Sequence, residues 1–279
     1  MILQNKNAII YGAGGSLAAV IARAFADAGA NLFLTGRHLA NVQKLADEII
    51  AGGGNARADE VDAMDEKAVN DHIAKVVEHA GSVDISFNLI DLQVIQNKPL
   101  TEMQVADFVR PVTIAMQSHF LTGTAAVRVM MKQGSGVILT LTATPGGVGY
   151  PGVAGFGPAC SAMECFSKNL AGENGLYGVR VLNIRSGGSP DSLVFKTAIE
   201  NYPEEMKVIL AQMEADTMLK KLPQMADIAN VAVFLASDLA GKITGVTVDV
   251  TAGTTAGLNY RTSEVSVTNV GARMVDSSI

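Results

Sequence analysis

Tryptophan is absent from the 279 residues, aromatic side chains make up only 5% of them, and charged residues only 17%. Hydrophobic residues reach 48%, which excludes a disordered chain or a coiled coil, since both depend on charge. Positive charge is the scarcer sign: 21 Lys and Arg stand against 27 Asp and Glu, a formal net charge of −6. No basic stripe appears, and this excludes a nucleic-acid partner, which needs clustered cations to displace counterions. Cysteine is nearly missing too. Cys160 and Cys165 lie five apart in a helical stretch, where one helix points them in different directions. They read as reduced thiols of a cytosolic protein rather than a disulfide or a metal pair. The four histidines have no metal spacing. No apolar run is long enough for a bilayer, and Met1-Ile2-Leu3 lacks the charged-then-apolar pattern of a signal. A soluble, cytoplasmic protein with no membrane partner is expected.

Short β-rich runs alternate with longer runs of helical period, the pattern of βαβ units on a parallel sheet. Strands are expected at Ala8–Tyr11, Asn31–Thr35, within Ala56–Asp62, and at Val83–Asn88, Gly136–Thr142, Val179–Ile184 and Val246–Val250. Between them, Leu17, Val20, Ile21, Ala24 and Phe25 repeat at i, i+3 and i+4, and Leu39, Val42, Leu45, Ala46 and Ile49 do likewise. A third helix is expected from Asp65 to Ala80. Thr101-Glu102-Met103-Gln104 has the form of a capping box. It predicts a helical region starting there, kinked or restarted at Pro111 and running to about Lys132. Further helices are expected over Phe156–Asn174 and Pro223–Ser237. Ser189–Leu222 breaks the rhythm and reads as a flap over a site. One doubly wound domain over residues 1–253 is expected, followed by an arm or tail over 254–279.

Gly12-Ala13-Gly14-Gly15-Ser16-Leu17-Ala18 lies between the first strand and the first helix. Glycines there let the backbone turn sharply and approach a pyrophosphate, while the helix N-terminus offers free N–H groups. The spacing is not G-x-G-x-x-G, because Leu17 holds the third position. After the second strand comes Gly36-Arg37-His38, where NAD enzymes carry a carboxylate for the ribose diol. Gly36 removes an acid that would repel a 2′-phosphate and Arg37 can grip one, so NADP is favoured over NAD.

From Leu3 to Gly253 the chain resembles the short-chain dehydrogenases/reductases. Tyr11 and Gly12 stand at the first two positions of that family's T-G-x-x-x-G-x-G, with Ser16 and Ala18 for its two later glycines. Pro223–Ala229, Phe234–Asp238, Ile243-Thr244-Gly245 and Val248–Gly253 look like its last helix, turn and strand. Asn88 matches the first Asn of N-N-A-G, with Leu89-Ile90-Asp91 replacing the rest, and Asp62 matches the acid that bonds the adenine amine. Gly187 matches the turn beside the nicotinamide, with Ser186 where the family has Pro. The resemblance implies a Rossmann sheet of order 3-2-1-4-5-6-7. It also implies a cofactor held at Gly12, Gly14, Gly15, Ser16 and Leu17, at Arg37 and Asp62, and at Asn88, Leu89, Gly187 and Ser189.

The family reduces carbonyls with a Tyr acid, a Lys four residues later, a Ser that orients the oxygen and an Asn that holds a relay water. Counting from Gly134-Ser135-Gly136 puts Ala115 at the Asn, Ala143 at the Ser, Phe156 at the Tyr and Cys160 at the Lys. Phe has no proton to give, Ala cannot orient an oxyanion, and a neutral thiol cannot replace an ammonium. Nothing next to Cys160 in the sequence is basic enough to activate it, so it reads as a small buried helix residue. Tyr150 is the one phenol nearby and has no Lys to tune it. Two readings follow. One is an oxidoreductase acting on a small, apolar carbonyl-type substrate by a non-standard site, with water, Tyr150 or Thr142 supplying the proton. The other is a silent pseudo-dehydrogenase that serves as a nucleotide sensor, binding module or structural subunit.

The resemblance also implies a homotetramer or homodimer paired through the helices around Ala115–Met131 and Phe156–Asn174. Light scattering should return a dimer or tetramer mass, and a monomer at micromolar concentration would contradict it.

Overall fold

Along each strand, successive side chains enter opposite apolar layers, as the two-residue period of a fully buried strand requires. Ile10, Leu32, Leu34, Ile85, Phe87, Leu139, Leu182 and Ile184 enter one layer. Ile9, Tyr11, Phe33, Ile138, Val179 and Val181 enter the other. The computed structural model describes residues 1–257. Its seven strands are β1 (Asn7–Tyr11), β2 (Asn31–Gly36), β3 (Asn55–Glu60), β4 (Ile85–Asn88), β5 (Gly136–Ala143), β6 (Val179–Ser186) and β7 (Thr247–Val250). They form one parallel sheet in the order β3-β2-β1-β4-β5-β6-β7, the order expected from the sequence.

Helices α1 (Ser16–Asp27), α2 (Leu39–Ala51) and α8 (Met225–Ala236) cover the first face. Helices α3 (Glu66–Ala80), α4 (Val105–Gln133) and α5 (Phe156–Asn174) cover the second. The segment read as a flap holds two helices, α6 (Leu193–Asn201) and α7 (Pro203–Asp216). Residues 258–279, most of the expected arm, lie outside the described residues.

The start of α4 differs from expectation. Leu100–Glu102 is a single 3-10 turn, Met103 is extended, and α4 begins at Val105 with Gln104 as an N-cap that makes no side-chain bond. Nor does Pro111 restart the helix, which runs as one element of 29 residues. Pro111 is buried in the second turn, where the missing N–H costs one hydrogen bond, and its ring packs against Gly155 at the start of α5. The last helix begins at Met225 rather than Pro223, through a reciprocal Gln224–Asp227 capping box.

One charged cluster ties α5 to the sheet. Thr142, Arg185 and Asp249 are register neighbours across β5, β6 and β7. Arg185 donates to both oxygens of Glu164 on α5, at 3.0 and 2.6 Å, and to Asp249 at 3.1 Å. Thr142 donates to Glu164 at 2.9 Å. Glu164 is nearly buried, its side chain 9% exposed and that of Arg185 16%, so little water is at hand to replace a lost partner. Glu164→Ala should lower stability by about 3 kcal/mol and the melting midpoint by roughly 6–12 °C. The exposed Lys67–Asp71 pair gives the control: Lys67→Ala should leave the midpoint unchanged in the same calorimetric scan.

Candidate functional site

The turn after β1 crosses the C-terminal edge of the sheet where β1 and β4 diverge. Gly12 has φ +75°, and a Cβ there would lie 2.7 Å from the Leu89 carbonyl oxygen, so the fold itself demands glycine at that position. Gly14 and Gly15 differ. Neither has positive φ, and a Cβ would meet nothing closer than 3.8 and 3.9 Å. No internal packing requires glycine at these two, and the space they leave belongs to a cavity of about 330 Å³. No side chain caps α1 and its first turn carries no acid, so no side chain competes for its N-terminal N–H groups and their partial positive charge.

Gly12, Gly14, Gly15, Arg37, Asp62 and Leu89 all line this cleft. Arg37 is exposed and makes no ion pair among the described residues. Asp62 accepts the Met64 N–H at 2.9 Å. Other expected residues have different surroundings. Leu17 packs against the core, and the Ser16 hydroxyl accepts the Leu193 N–H at the start of α6. Gly187 packs against Pro223 and Thr251. Ser189 is buried, and its hydroxyl has no hydrogen-bond partner among the described residues. Asn88 donates to Ser118 and Thr122 and accepts from the Ile90 N–H, which commits its amide to holding β4 against α4.

A second cavity, about 500 Å³, shares Leu89, Ile90 and Asp91 with the first. Ala143, Phe156, Met163, Leu141 and Val194 form much of its wall. Behind the wall, Ala115 and Cys160 are fully buried in a cluster with Leu92, Ile114, Ala159 and Met163, against which Ala143 and Phe156 pack. The four positions singled out in the sequence are therefore one place in three dimensions. Tyr150 is 42% exposed and lines neither cavity.

The polar groups of this wall are largely engaged. Thr142 donates to Glu164 and accepts from Asn183, which accepts in turn from Thr140. Ser186 donates to the Thr142 carbonyl. His119 also lines the cavity and went unnoticed in the sequence, although it lies one helical turn after Ala115. Neither Glu164 nor Arg185 stood out, because their pairing depends on strand register.

Comparison with known proteins agrees with this geometry. A family model described as enoyl-(acyl carrier protein) reductase matches residues 12–255. A 2,5-dichloro-2,5-cyclohexadiene-1,4-diol dehydrogenase, LinX, of Sphingobium indicum is 30% identical over 256 residues, 92% of this chain and 98% of the relative. The 2,3-dihydro-2,3-dihydroxybenzoate dehydrogenase of Bacillus subtilis is 26% identical over 258 residues, 92% of this chain and 98% of that one. The chain belongs to the short-chain dehydrogenase/reductase family. An NAD+-bound xylitol dehydrogenase superposes with a TM-score of 0.84 at 24% identity, covering 91% of this chain and all of the other. A gluconate 5-dehydrogenase of Burkholderia cenocepacia, in complex with NADP and tartrate, gives 0.83 at 21% identity, with 92% and 97% covered. Both likenesses speak to the fold. This short-chain dehydrogenase/reductase is thus an oxidoreductase by family, and its family binds NAD(P). Among the described residues no helix is long and apolar enough to cross a membrane.

Its two thiols differ sharply. Cys160 is buried, and that burial pushes its pKa up to about 11, whereas Cys165 is exposed. A thiol with so high a pKa holds almost no thiolate at pH 8. Ellman's reagent should titrate Cys165 quickly in the native protein and Cys160 only after unfolding. Two fast equivalents would show that the cluster around Cys160 is open to solvent.

Proposed function

We propose that the protein binds NADP(H) but does not carry out proton-coupled carbonyl reduction with a Tyr–Lys pair. The carrying observation is the convergence of Ala115, Ala143, Phe156 and Cys160 on one apolar cluster. Bound NADPH would supply a hydride, but the oxygen accepting the electrons needs a proton or a hydrogen-bond donor. None of these four side chains has an acid suited to the task. The dinucleotide half, by contrast, remains: Gly14 and Gly15 leave space a Cβ would fill, and the α1 N-terminus would face the pyrophosphate. Arg37 would pair with the 2′-phosphate and Asp62 with the adenine. Leu89, Gly187 and Ser189 would flank the nicotinamide end. On this reading the protein is a nucleotide-responsive binding module or non-catalytic subunit, soluble and cytoplasmic, built as one domain over residues 1–253 and assembled as a homodimer or homotetramer. The exposed Phe120 on α4 is available for that pairing.

The second reading, an oxidoreductase acting on a small apolar carbonyl by a non-standard site, draws support from the second cavity. That cavity adjoins the cleft through Leu89–Asp91, so a ligand could sit beside the nucleotide. Turnover separates the two. Binding of NADPH by fluorescence without oxidation across a carbonyl panel supports the first reading. Reduction of ordinary ketones at roughly 1–1000 per second supports the second.

NADPH should bind more tightly than NADH, and Arg37→Ala should cost about 1.5–3 kcal/mol for NADPH alone. Equal wild-type affinities for the two cofactors would refute this specificity. Ala115→Asn, Ala143→Ser, Phe156→Tyr and Cys160→Lys together should create NADPH-dependent reduction of a small reactive carbonyl, faster than wild type. Single changes should do little, because residues that act as a unit are not additive. A fourfold variant that folds and binds NADPH yet stays inert would show that the geometry, and not only the chemistry, has been lost.

A further inference from the structure

Gly36, the last residue of β2, is held to glycine by a contact inside the protein. Its φ lies outside the left-handed region, so its backbone would accept any residue. Yet a Cβ there would stand 2.8 Å from Val42 Cγ2 on α2. Carbon atoms in ordinary contact lie about 3.5–4.0 Å apart, so the strand or Val42 must move before any side chain fits. Neither moves cheaply. Gly36 is in register with Glu60 of β3, and its carbonyl accepts the Val61 N–H at 3.1 Å. Val42 is 1% exposed, and a β-branched residue in a helix has one strongly preferred rotamer, so its methyl groups do not swing aside. Lifting α2 away from Gly36 would unpack Val42, Leu45 and Ala46 from the core. The same close seating recurs two turns on. A Cβ on Gly54, just before β3, would lie 2.8 Å from Ile49 Cγ2, so α2 rests on a glycine at both ends.

Position 36 is where an NAD enzyme of this architecture carries its carboxylate, and Val42 lines the first cavity together with Gly36, Arg37, His38 and Asn41. We propose that Val42 is a specificity-determining residue: by filling the space of a Cβ at position 36 it keeps a carboxylate out of the cleft and leaves Arg37 unopposed at the 2′ end of the nucleotide. The proposal rests on reading the cleft as an NADP(H) site, and it assigns the packing that sets the choice of cofactor there. A change of charge at position 36 therefore does not convert the site by itself. An aspartate there pushes on Val42 and displaces the start of α2, where Asn41 borders the cleft, so the ribose end is damaged rather than re-specified. With Val42 cut back to alanine, the aspartate has room to accept hydrogen bonds from a ribose diol and to repel a 2′-phosphate.

Calorimetric scans of the full chain without nucleotide test the packing. Gly36→Ala should lower the melting midpoint by roughly 2–12 °C, the usual scale of overpacking in a chain of this size. In a Val42→Ala background the same change should cost nothing, so the double variant melts with Val42→Ala, because residues in contact are not additive. Equal losses in both backgrounds, or no loss in either, would overturn the proposal. Titration with NADPH and NADH tests the consequence. Gly36→Asp should weaken NADPH without gain for NADH. Gly36→Asp combined with Val42→Ala should bind NADH at least roughly tenfold more tightly than Gly36→Asp alone, the scale of one hydrogen bond to a charged group, and should prefer it to NADPH. Equal NADH affinity in those two variants, or a folded double variant that still prefers NADPH, would also overturn it. Wild type that binds both cofactors alike, or neither, with the melting pattern as expected sinks the NADP reading and leaves the packing lock standing. Additive melting losses beside a wild-type preference for NADPH sink only the role of Val42.

Discussion

A carboxylate near the middle of α5 sets the geometry of the site. Phe156, Cys160 and Glu164 follow one another at four-residue intervals, so they lie along one face of that helix. Glu164 is gripped by the Arg185 guanidinium in a two-point fork, with Thr142 adding a third bond. The planar match of guanidinium and carboxylate is directional as well as strong. It therefore fixes the rotation of α5 over β5 and β6, and rotation decides that Phe156 lines the chamber with Cys160 buried behind it. The loop after β5 is held to the same face: a Cβ on Gly146 would sit 2.5 Å from a Glu164 oxygen and 3.0 Å from the Cys160 Cβ. A side chain there would push on the Glu164 carboxylate and on Cys160.

The same arrangement decides the electrostatics of the chamber. At the position where relatives of this fold are expected to carry a Lys, this chain has a neutral thiol that burial keeps protonated. Positive charge is nonetheless close by, on Arg185. Glu164 and Asp249 surround it and raise its pKa further, chiefly through the Glu164 hydrogen bonds. A cation spent on two carboxylates has little field left to offer a ligand oxygen. The chamber is thus apolar not because charges are distant but because those nearby neutralise one another.

Much of this was legible in the sequence, and the reasons are local. Short β-rich runs and the helical period between them gave the seven strands, the family resemblance implied their order in the sheet, and Phe156–Asn174 was placed to the residue. The glycine turn and Arg37 stood out because each is a short segment with its own chemistry, and both line one cleft. The start of α4 misled for an equally physical reason. Thr101–Gln104 has capping-box spacing, but the chain makes one 3-10 turn there, and Gln104 takes the N-cap position of the helix that follows without a side-chain bond. Pro111 gave a false break because a proline in the second turn loses one bond without losing the helix, and here its ring is buried. Glu164, Arg185 and Asp249 left no trace in the sequence. They are 21 and 64 residues apart along the chain and meet only because Arg185 is in register with Asp249 and α5 crosses above. His119 had a visible clue, its spacing from Ala115, but its place in the cavity wall is a property of packing.

The phosphate turn and the flap meet at one bond, and it narrows how an anion could be held. Ser16 stands where a family glycine is expected, and a serine hydroxyl at a helix N-terminus would normally be counted among the phosphate donors. Here it accepts the Leu193 N–H at 3.2 Å, which draws the start of α6 onto the start of α1. A hydroxyl that accepts can still donate its own hydrogen, so Ser16 can serve both partners, but only with the flap in this position. The remaining donors at the turn are backbone N–H groups, whose directions follow from Gly12 and its contact with Leu89 rather than from any side chain. Leu89 in turn borders both cavities. The flap's contact with α1 and the border between the two cavities therefore lie on one short turn, with Gly12 packed against Leu89 at its start. A ligand in the cleft would need no long-range rearrangement to be felt in the chamber, because the two cavities share Leu89, Ile90 and Asp91.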